Sequence, residues 1–267
     1  MKDKVVIVTG ASSGIGEAVA KYFASRGAIL SLAARRVEII EEMATHMKAE
    51  GVKALALKVD VSIEEDCQNL IVQTIKAFGR IDVLINNAGI SMRALFNDLE
   101  LDVFKNVMEI NFWGAVYCTK YALPHLLQSK GSVVGISSIA GYVGLPARTA
   151  YSASKYAMHG FLEALRTENL EKELHVLIAC PGFTASNIRK TALTADGSQQ
   201  KDSPREEGKM MSAEKVAHYL YGAILKRKQS LILTTEGKLA VFFSKFLPRF
   251  VQKSVYRKFK KEPNSQL

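Results

Sequence analysis

Three stretches follow one another without a gap and restrict the fold more than anything else in the chain: Val5-Val-Ile-Val8, Thr9-Gly-Ala-Ser-Ser-Gly-Ile-Gly16, and a helical pattern over residues 17–25. A run of β-branched apolar residues suits a strand covered on both faces. Glycines at 10, 14 and 16 let the backbone turn tightly and approach a pyrophosphate. The next helix meets that phosphate with unpaired N–H groups and its positive dipole end. A glycine cluster alone serves any turn; a strand before it and a helix after it make a dinucleotide-binding unit. Within the loop, Ser12, Ser13 and Ile15 join Gly10, Gly14 and Gly16 as candidate cofactor contacts.

The pattern then repeats. Strands are expected over residues 28–33, 53–59, 82–85, 132–136, 175–179 and 230–234, with helices over 38–50, 64–78, 100–128, about 151–171 and 213–226. Strands alternating with helices of this length mean parallel pairing through right-handed crossovers. The fold class is therefore α/β, a Rossmann-type doubly wound parallel sheet of seven strands. A chain of 267 residues, 48% hydrophobic, is too apolar for disorder and fits one large domain, 1–236, with an extension over 237–267.

The end of the second strand bears on the choice of cofactor. An NAD enzyme usually carries an Asp or Glu there to bind the adenosine ribose 2′-hydroxyl, whereas this chain has Ala34 followed by Arg35 and Arg36. A carboxylate repels a 2′-phosphate and a guanidinium grips it, so the reading is NADP(H). The alternative is that the two arginines only solvate the next helix. Asp60 and Val61, then Asn87, Ala88 and Gly89, sit just past strand C-termini, where open α/β sheets bind ligands. Asp60 and Asn87 would equally serve to cap a turn. Pro181-Gly182 closes the sixth strand, and Thr184 and Ser186 open a polar stretch, 184–211, that reads as a lid or a plain surface loop.

Chemistry is concentrated between Ser138 and Lys155. Tyr151 and Lys155 stand four apart at the start of an apolar, Ala-rich helix, which puts them on one face. A free tyrosine, with a pKa of about 10, is a poor acid or base near neutrality; a nearby ammonium is expected to pull it down. Ser138 follows an apolar strand and should present its hydroxyl at that strand's C-terminal edge. These groups suit polarising and protonating a carbonyl oxygen, with hydride supplied by a cofactor. Asn111, in a helix interior where asparagine is mildly unfavourable, is either a tolerated polar residue or a further site residue.

Over about residues 4–235 the sequence resembles the short-chain dehydrogenase/reductase family. The resemblance is carried by Thr9-Gly-x-x-x-Gly-x-Gly16, Asn86-Asn-Ala-Gly89, Asn111, Ser138, Tyr151-x-x-x-Lys155 and Pro181-Gly182, in order. It implies strand order 3-2-1-4-5-6-7 and a homodimer or homotetramer built on two long helices. It also implies roles: Tyr151 as proton donor or acceptor, Ser138 on the substrate oxygen, and Lys155 on the nicotinamide ribose. Asn111 would hold a water of the proton relay, and Arg35 the 2′-phosphate. Where the family often has a threonine against the nicotinamide carboxamide, this chain has Ser186. A narrower resemblance, to the branch containing dehydrogenase/reductase member seven-B, rests on Leu193-Thr-Ala-Asp-Gly-Ser198 and a Phe-rich basic tail. It implies membrane association and lipid-like or bulky ketones.

The expected activity is NADPH-dependent reduction of a ketone, lipidic or otherwise bulky and apolar, to a secondary alcohol. Alternatives are reduction of a 3-oxoacyl thioester and, in another class, a non-catalytic NADP-binding scaffold. Cys67, Cys118 and Cys180 lack Cys-x-x-Cys spacing, and no run of 18 apolar residues exists. These features suggest a cytoplasmic protein without a spanning helix or a secretory leader. The five histidines show no ligand spacing, so no metal is expected. Of the net charge of +10, residues 237–267 carry +7, from eight Lys/Arg against Glu262. The basicity thus belongs mainly to the tail, and no nucleic-acid partner is expected. Leu239, Phe242, Phe243 and Phe246, then Val251, Val255 and Phe259 after Pro248, recur at three- and four-residue spacing among lysines and arginines. Two short basic amphipathic helices would lie in a membrane interface or pack on protein near the substrate pocket.

Overall fold

The computed structural model describes residues 1–184, 187–201, 210–262 and 265; Ser186 and part of the expected lid lie outside the described residues. Seven parallel strands form one sheet in the order β3-β2-β1-β4-β5-β6-β7. They are β1 Val5–Thr9, β2 Ile29–Ala34, β3 Ala54–Lys58, β4 Val83–Asn86, β5 Ser132–Ile136, β6 His175–Cys180 and β7 Ser230–Ile232. Side chains alternate across the central strand. Val6 and Val8 join a core beneath α1 (Gly14–Ala24), α2 (Val37–Ala49) and α7 (Ala213–Leu225). Ile7 points the other way, into a core beneath α3 (Glu64–Phe78), α5 (Gly114–Gln128) and α6 (Thr149–Glu168). Burial on both faces is why β1 reads as an unbroken apolar run.

Several boundaries differ from expectation for local physical reasons. The strand expected to start at 82 starts at Val83, because Asp82 is a tether. Its buried carboxylate accepts from Val5 N (3.0 Å), Lys4 Nζ (3.0 Å) and an Arg80 guanidinium nitrogen (2.6 Å). Burial alone would raise its pKa; the donors outweigh that and hold it below the usual carboxylate value. The strand expected over 230–234 ends at Ile232, since Thr234 Oγ1 accepts from Gly237 N (3.0 Å) and caps α8, Thr235–Phe246.

The helix expected over 100–128 is three pieces: α4 (Leu101–Met108), a π-helical turn (Glu109–Trp113) and α5. Such turns insert a residue and re-aim a side chain, and they favour functional positions. Here the re-aimed side chain is Asn111. Gly114, where α5 begins, sits against Val61; an added Cβ would lie 2.7 Å from Val61 Cγ2.

After β7 the chain does not trail away. Helix α8 turns at Leu247 into α9, Pro248–Lys260, with the proline in the first turn, where its missing N–H costs nothing. The boundary expected at 236/237 thus falls inside α8. Val241, Val251 and Phe259 face inward, while Leu239, Phe242, Phe246, Leu247 and Phe250 are exposed.

Candidate active site

The C-terminal ends of the strands open into a cleft of ≈ 590 Å³. One end is lined by Gly10, Ser12, Ser13, Gly14, Ile15, Arg35, Arg36, Asp60 and Val61. Gly10 and Gly14 hold positive φ values of 65° and 58°, available to glycine at little cost. Gly16 is required by closeness: a Cβ there would come within 2.3 Å of Gly10 O and 2.5 Å of Asn87 Nδ2. Helix α1 begins at Gly14, earlier than the pattern from 17 implied, so its free N–H groups open directly on the loop.

Thr9, quoted in the motif but not singled out as a site residue, organises this corner. Its buried hydroxyl donates to Ile85 O (3.3 Å) and accepts from Asn87 N and Ala88 N (3.0 Å each). Asn87 Nδ2 in turn donates to Thr9 O (2.9 Å) and Gly10 O (3.2 Å). The Asn87 side chain therefore braces the glycine loop from β4. Asp60 takes the capping option, accepting from Ser62 N (3.1 Å) and Ser62 Oγ (2.7 Å). The two arginines behave differently. Arg36 donates to both Ser12 Oγ and Ser13 Oγ (3.0 Å each), whereas Arg35 extends outward, 3.9 Å from an Asp60 oxygen.

Farther along, the cleft is lined by Asn87, Ala88, Gly89, Ser138, Tyr151, Lys155, Pro181, Gly182 and Thr184. Thr184 Oγ1 is buried without a hydrogen-bond partner among the described residues. A glycine cradle, an open helix N-terminus and this orphaned hydroxyl fit an elongated phosphate-bearing group with a polar head. The residues present suit a nicotinamide dinucleotide.

Tyr151 lies in the first turns of α6 and lines the cleft together with Ser138, whose hydroxyl acts to lower the phenol's pKa. Ser138 follows β5 and caps the short 3₁₀ turn Ile139–Gly141, its Oγ accepting from Ala140 N at 3.2 Å. Lys155, 4% exposed, donates to Ile136 O at 2.9 Å and places its Nζ 5.7 Å from the Tyr151 ring centroid.

The expected electrostatics need correction. Burial pushes the Tyr151 phenol above its ordinary value, against the opposing pull of the Ser138 hydroxyl and the Arg148 and Arg189 guanidinium groups. Lys155 is not the lever on Tyr151 that the spacing suggested. Its ammonium is itself desolvated and drawn down to about 8. Arg148 and Arg189 escaped the sequence reading because only the loops carrying them bring them near the phenol.

Asn111 is fully buried and fully engaged. Its Oδ1 accepts from Ile90 N (2.8 Å), and its Nδ2 donates to Ile90 O (2.9 Å) and Ser154 Oγ (3.0 Å). Ser154 Oγ donates to Tyr151 O (2.8 Å), so the π-helical turn is tied to the helix carrying the tyrosine. The substrate end has mixed character. Ile110, Leu145, Phe183 and Phe259 supply apolar surface, while Arg148, Arg189 and Glu262 are charged. Phe259 and Glu262 come from the C-terminal segment. Arg148 lies over the Phe259 ring (5.7 Å), and Glu262 lies 3.8 Å from Arg93, both of these side chains being nearly buried.

Comparison with known proteins agrees with this geometry. The short chain dehydrogenase family model matches residues 4–197. Dehydrogenase/reductase SDR family member 7B of Mus musculus is 35% identical over 272 residues, all of this chain and 84% of the mouse protein. 11-beta-hydroxysteroid dehydrogenase A of Arachis hypogaea is 44% identical over 202 residues, covering 74% of this chain and 58% of the peanut protein. Among solved structures, a short chain dehydrogenase/reductase from Burkholderia phymatum in complex with NAD superposes with TM-score 0.83 at 23% identity, over 93% of this chain and 95% of that one. An alcohol dehydrogenase from Thermococcus sibiricus complexed with 5-hydroxy-NADP gives 0.75 at 25% identity, over 86% and 95%. The sheet, the nucleotide corner and these relatives converge: the chain belongs to the short-chain dehydrogenase family, as an oxidoreductase related to the 7B branch with a fold that binds a nicotinamide cofactor.

Proposed function

We propose that the protein is an NADPH-dependent reductase converting a bulky, amphipathic ketone to a secondary alcohol. The observation that carries this is the convergence of Tyr151 and Ser138 on one cleft, with the Lys155 ammonium behind the tyrosine ring. A purely binding domain needs no such trio. The cofactor, when bound, supplies the hydride. Tyr151 then delivers the proton to the oxygen that gains negative charge, and the Ser138 hydroxyl donates to the same oxygen. A phenol held above its ordinary pKa is protonated at neutrality, the state a reductase needs in its acid. Lys155 anchors the polar head at the tyrosine end of the cleft, while Asn111 and Ser154 keep the catalytic turn of α6 in place.

For the cofactor, Arg36 spans both loop serines and Arg35 lines the same end of the cleft, a doubly cationic rim suited to a 2′-phosphate. For the substrate, the apolar walls and relatives named for steroid dehydrogenases support a large ketone. The aromatic face of the π-helical turn and α6, with Trp113 and Tyr156 exposed, suits a homo-oligomer contact. No helix among the described residues is long and apolar enough to cross a membrane. The exposed phenylalanines of α8 and the start of α9, among lysines and arginines, suit peripheral contact with an anionic bilayer.

The test is NADPH oxidation over a panel of steroidal, lipidic and small ketones, with Tyr151→Phe as control. The variant should keep its fold and cofactor affinity and lose about 10²–10⁴-fold in turnover, the usual worth of general acid catalysis. Tyr151→Phe within twofold of the wild type would sink the assignment of the proton donor.

A further inference from the structure

Tyr151, Lys155 and His159 stand at i, i+4 and i+8 on one face of α6, and each meets one of three consecutive residues at the end of β5. Tyr151 meets the Ser138 side chain, and Lys155 Nζ donates to Ile136 O (2.9 Å). His159 Nε2 shares a hydrogen bond with Ser137 Oγ (2.7 Å). The proposed chemistry uses the outer two of these β5 residues' partners and leaves the His159–Ser137 bond without a role.

The imidazole is 5% exposed, and three other groups converge on it. The Tyr142 ring packs edge-on at 4.5 Å. The Cys180 thiol on β6 lies 4.0 Å from Nε2 and donates to Ser138 O (3.4 Å). Gly141 lies so close that an added Cβ would come within 2.6 Å of Nε2. The turn that carries Ser138 therefore rests on this imidazole. Ser137 N also donates to Ala179 O (2.7 Å), which fixes the backbone and leaves the hydroxyl for the histidine.

We propose that His159 is a positioning residue for carbonyl reduction, holding Ser137 and the following turn so that the Ser138 hydroxyl stays aligned with Tyr151. The charge state agrees with the geometry. Burial first, and the Lys155 ammonium second, draw the His159 pKa down to about 4, so the ring is neutral near pH 7. A second cation would compete with Lys155 for the same desolvated space, whereas a neutral imidazole offers a rigid hydrogen bond and no charge. Cys180, pushed up to about 12 by burial, remains a neutral thiol beside it.

This inference rests on the reductase reading, and its test has one arm independent of activity. His159→Phe keeps the ring and its packing on Tyr142 but removes the hydrogen bond; Ser137→Ala removes the other partner; His159→Gln restores a polar group of similar reach. In the activity-independent arm, amide hydrogen exchange is followed across residues 137–142 in the NADPH-bound proteins. Exchange should run about tenfold faster in His159→Phe and Ser137→Ala and near the wild-type rate in His159→Gln. On a ketone the wild type reduces, kcat should fall about ten- to a hundredfold in the first two, with the KM for NADPH unchanged. His159→Gln should recover most of the loss. Unchanged exchange, or kcat within twofold of the wild type in both variants, overturns the proposal. So does a glutamine variant as impaired as the phenylalanine one, which would assign His159 to packing alone. If His159→Phe does not fold, Ser137→Ala decides by the same criteria. A wild type that reduces no ketone of the panel removes the reductase reading, and the exchange arm then decides by itself whether His159 holds the turn.

Discussion

Lys155 offers a measurement in which catalysis and stability oppose each other. Its ammonium titrates at about 8 in the folded chain, against 10.5 for a free lysine, because burial disfavours the charge. Near pH 7 the group is mostly charged in both states, so the folded state carries the full penalty of about 3 kcal/mol. Between pH 8 and 10.5 the unfolded chain binds more protons than the folded one, so stability from this group rises with pH. The penalty shrinks to about 2 kcal/mol near pH 9 and about 1 kcal/mol near pH 10. Lys155→Met removes the charge at similar length, but it also takes the donor from Ile136 O, a loss of about 1–3 kcal/mol. The net change near pH 7 is therefore small, zero to about 2 kcal/mol in favour of the variant. The decisive quantity is the difference between the two proteins as pH rises. Urea unfolding of the cofactor-free proteins, followed by two probes from about pH 7 to pH 9.5, should show Lys155→Met losing about 1–2 kcal/mol relative to the wild type across that range. Groups common to both proteins cancel in the comparison. The variant should also lose turnover. A pH-independent difference, or one that moves the other way, would refute the desolvated ammonium.

Arg35→Ala and Arg36→Ala should each weaken NADPH binding by about ten- to a hundredfold while leaving NADH within twofold, as measured by quenching of protein fluorescence. Equal losses for both cofactors would remove the 2′-phosphate role. Gly16→Ala forces a methyl to within 2.3 Å of Gly10 O, and should weaken either dinucleotide by about tenfold or more through distortion of the loop. An unchanged dissociation constant would contradict that tight approach. Phe246→Ser with Phe250→Ser, both on the exposed face, should reduce co-sedimentation with phosphatidylserine vesicles while sparing NADPH binding. Undiminished sedimentation would exclude this face as the membrane contact. Truncating the tail is a poorer test, because Phe259 and Glu262 line the cleft.

What local pattern dictates, the sequence determined by itself. The buried run of β1, the glycine loop and the alternation of strands with helices follow from periodicity and steric rules acting within a few residues. The spacing of Tyr151 and Lys155 follows from the helix repeat. The tertiary structure decided whatever depends on residues distant in the chain. The π-helical turn exists where Asn111 reaches back 21 residues to Ile90, a contact with no local signature. Asn87 could have bound a ligand or braced a turn, and only the meeting of β1 with β4 and its loop showed it bracing the glycine loop. His159 looked like any other histidine until the fold carried β5 across the face of α6, with Ser137 and His159 22 residues apart. The sign of the Tyr151 shift was the least legible feature. It is a competition between burial, which every packed element contributes to, and cations, of which spacing exposed only Lys155. Arg148 and Arg189 arrive on loops, and the burial that outweighs them belongs to the whole cleft, because desolvation is a property of the assembled protein and of no single segment.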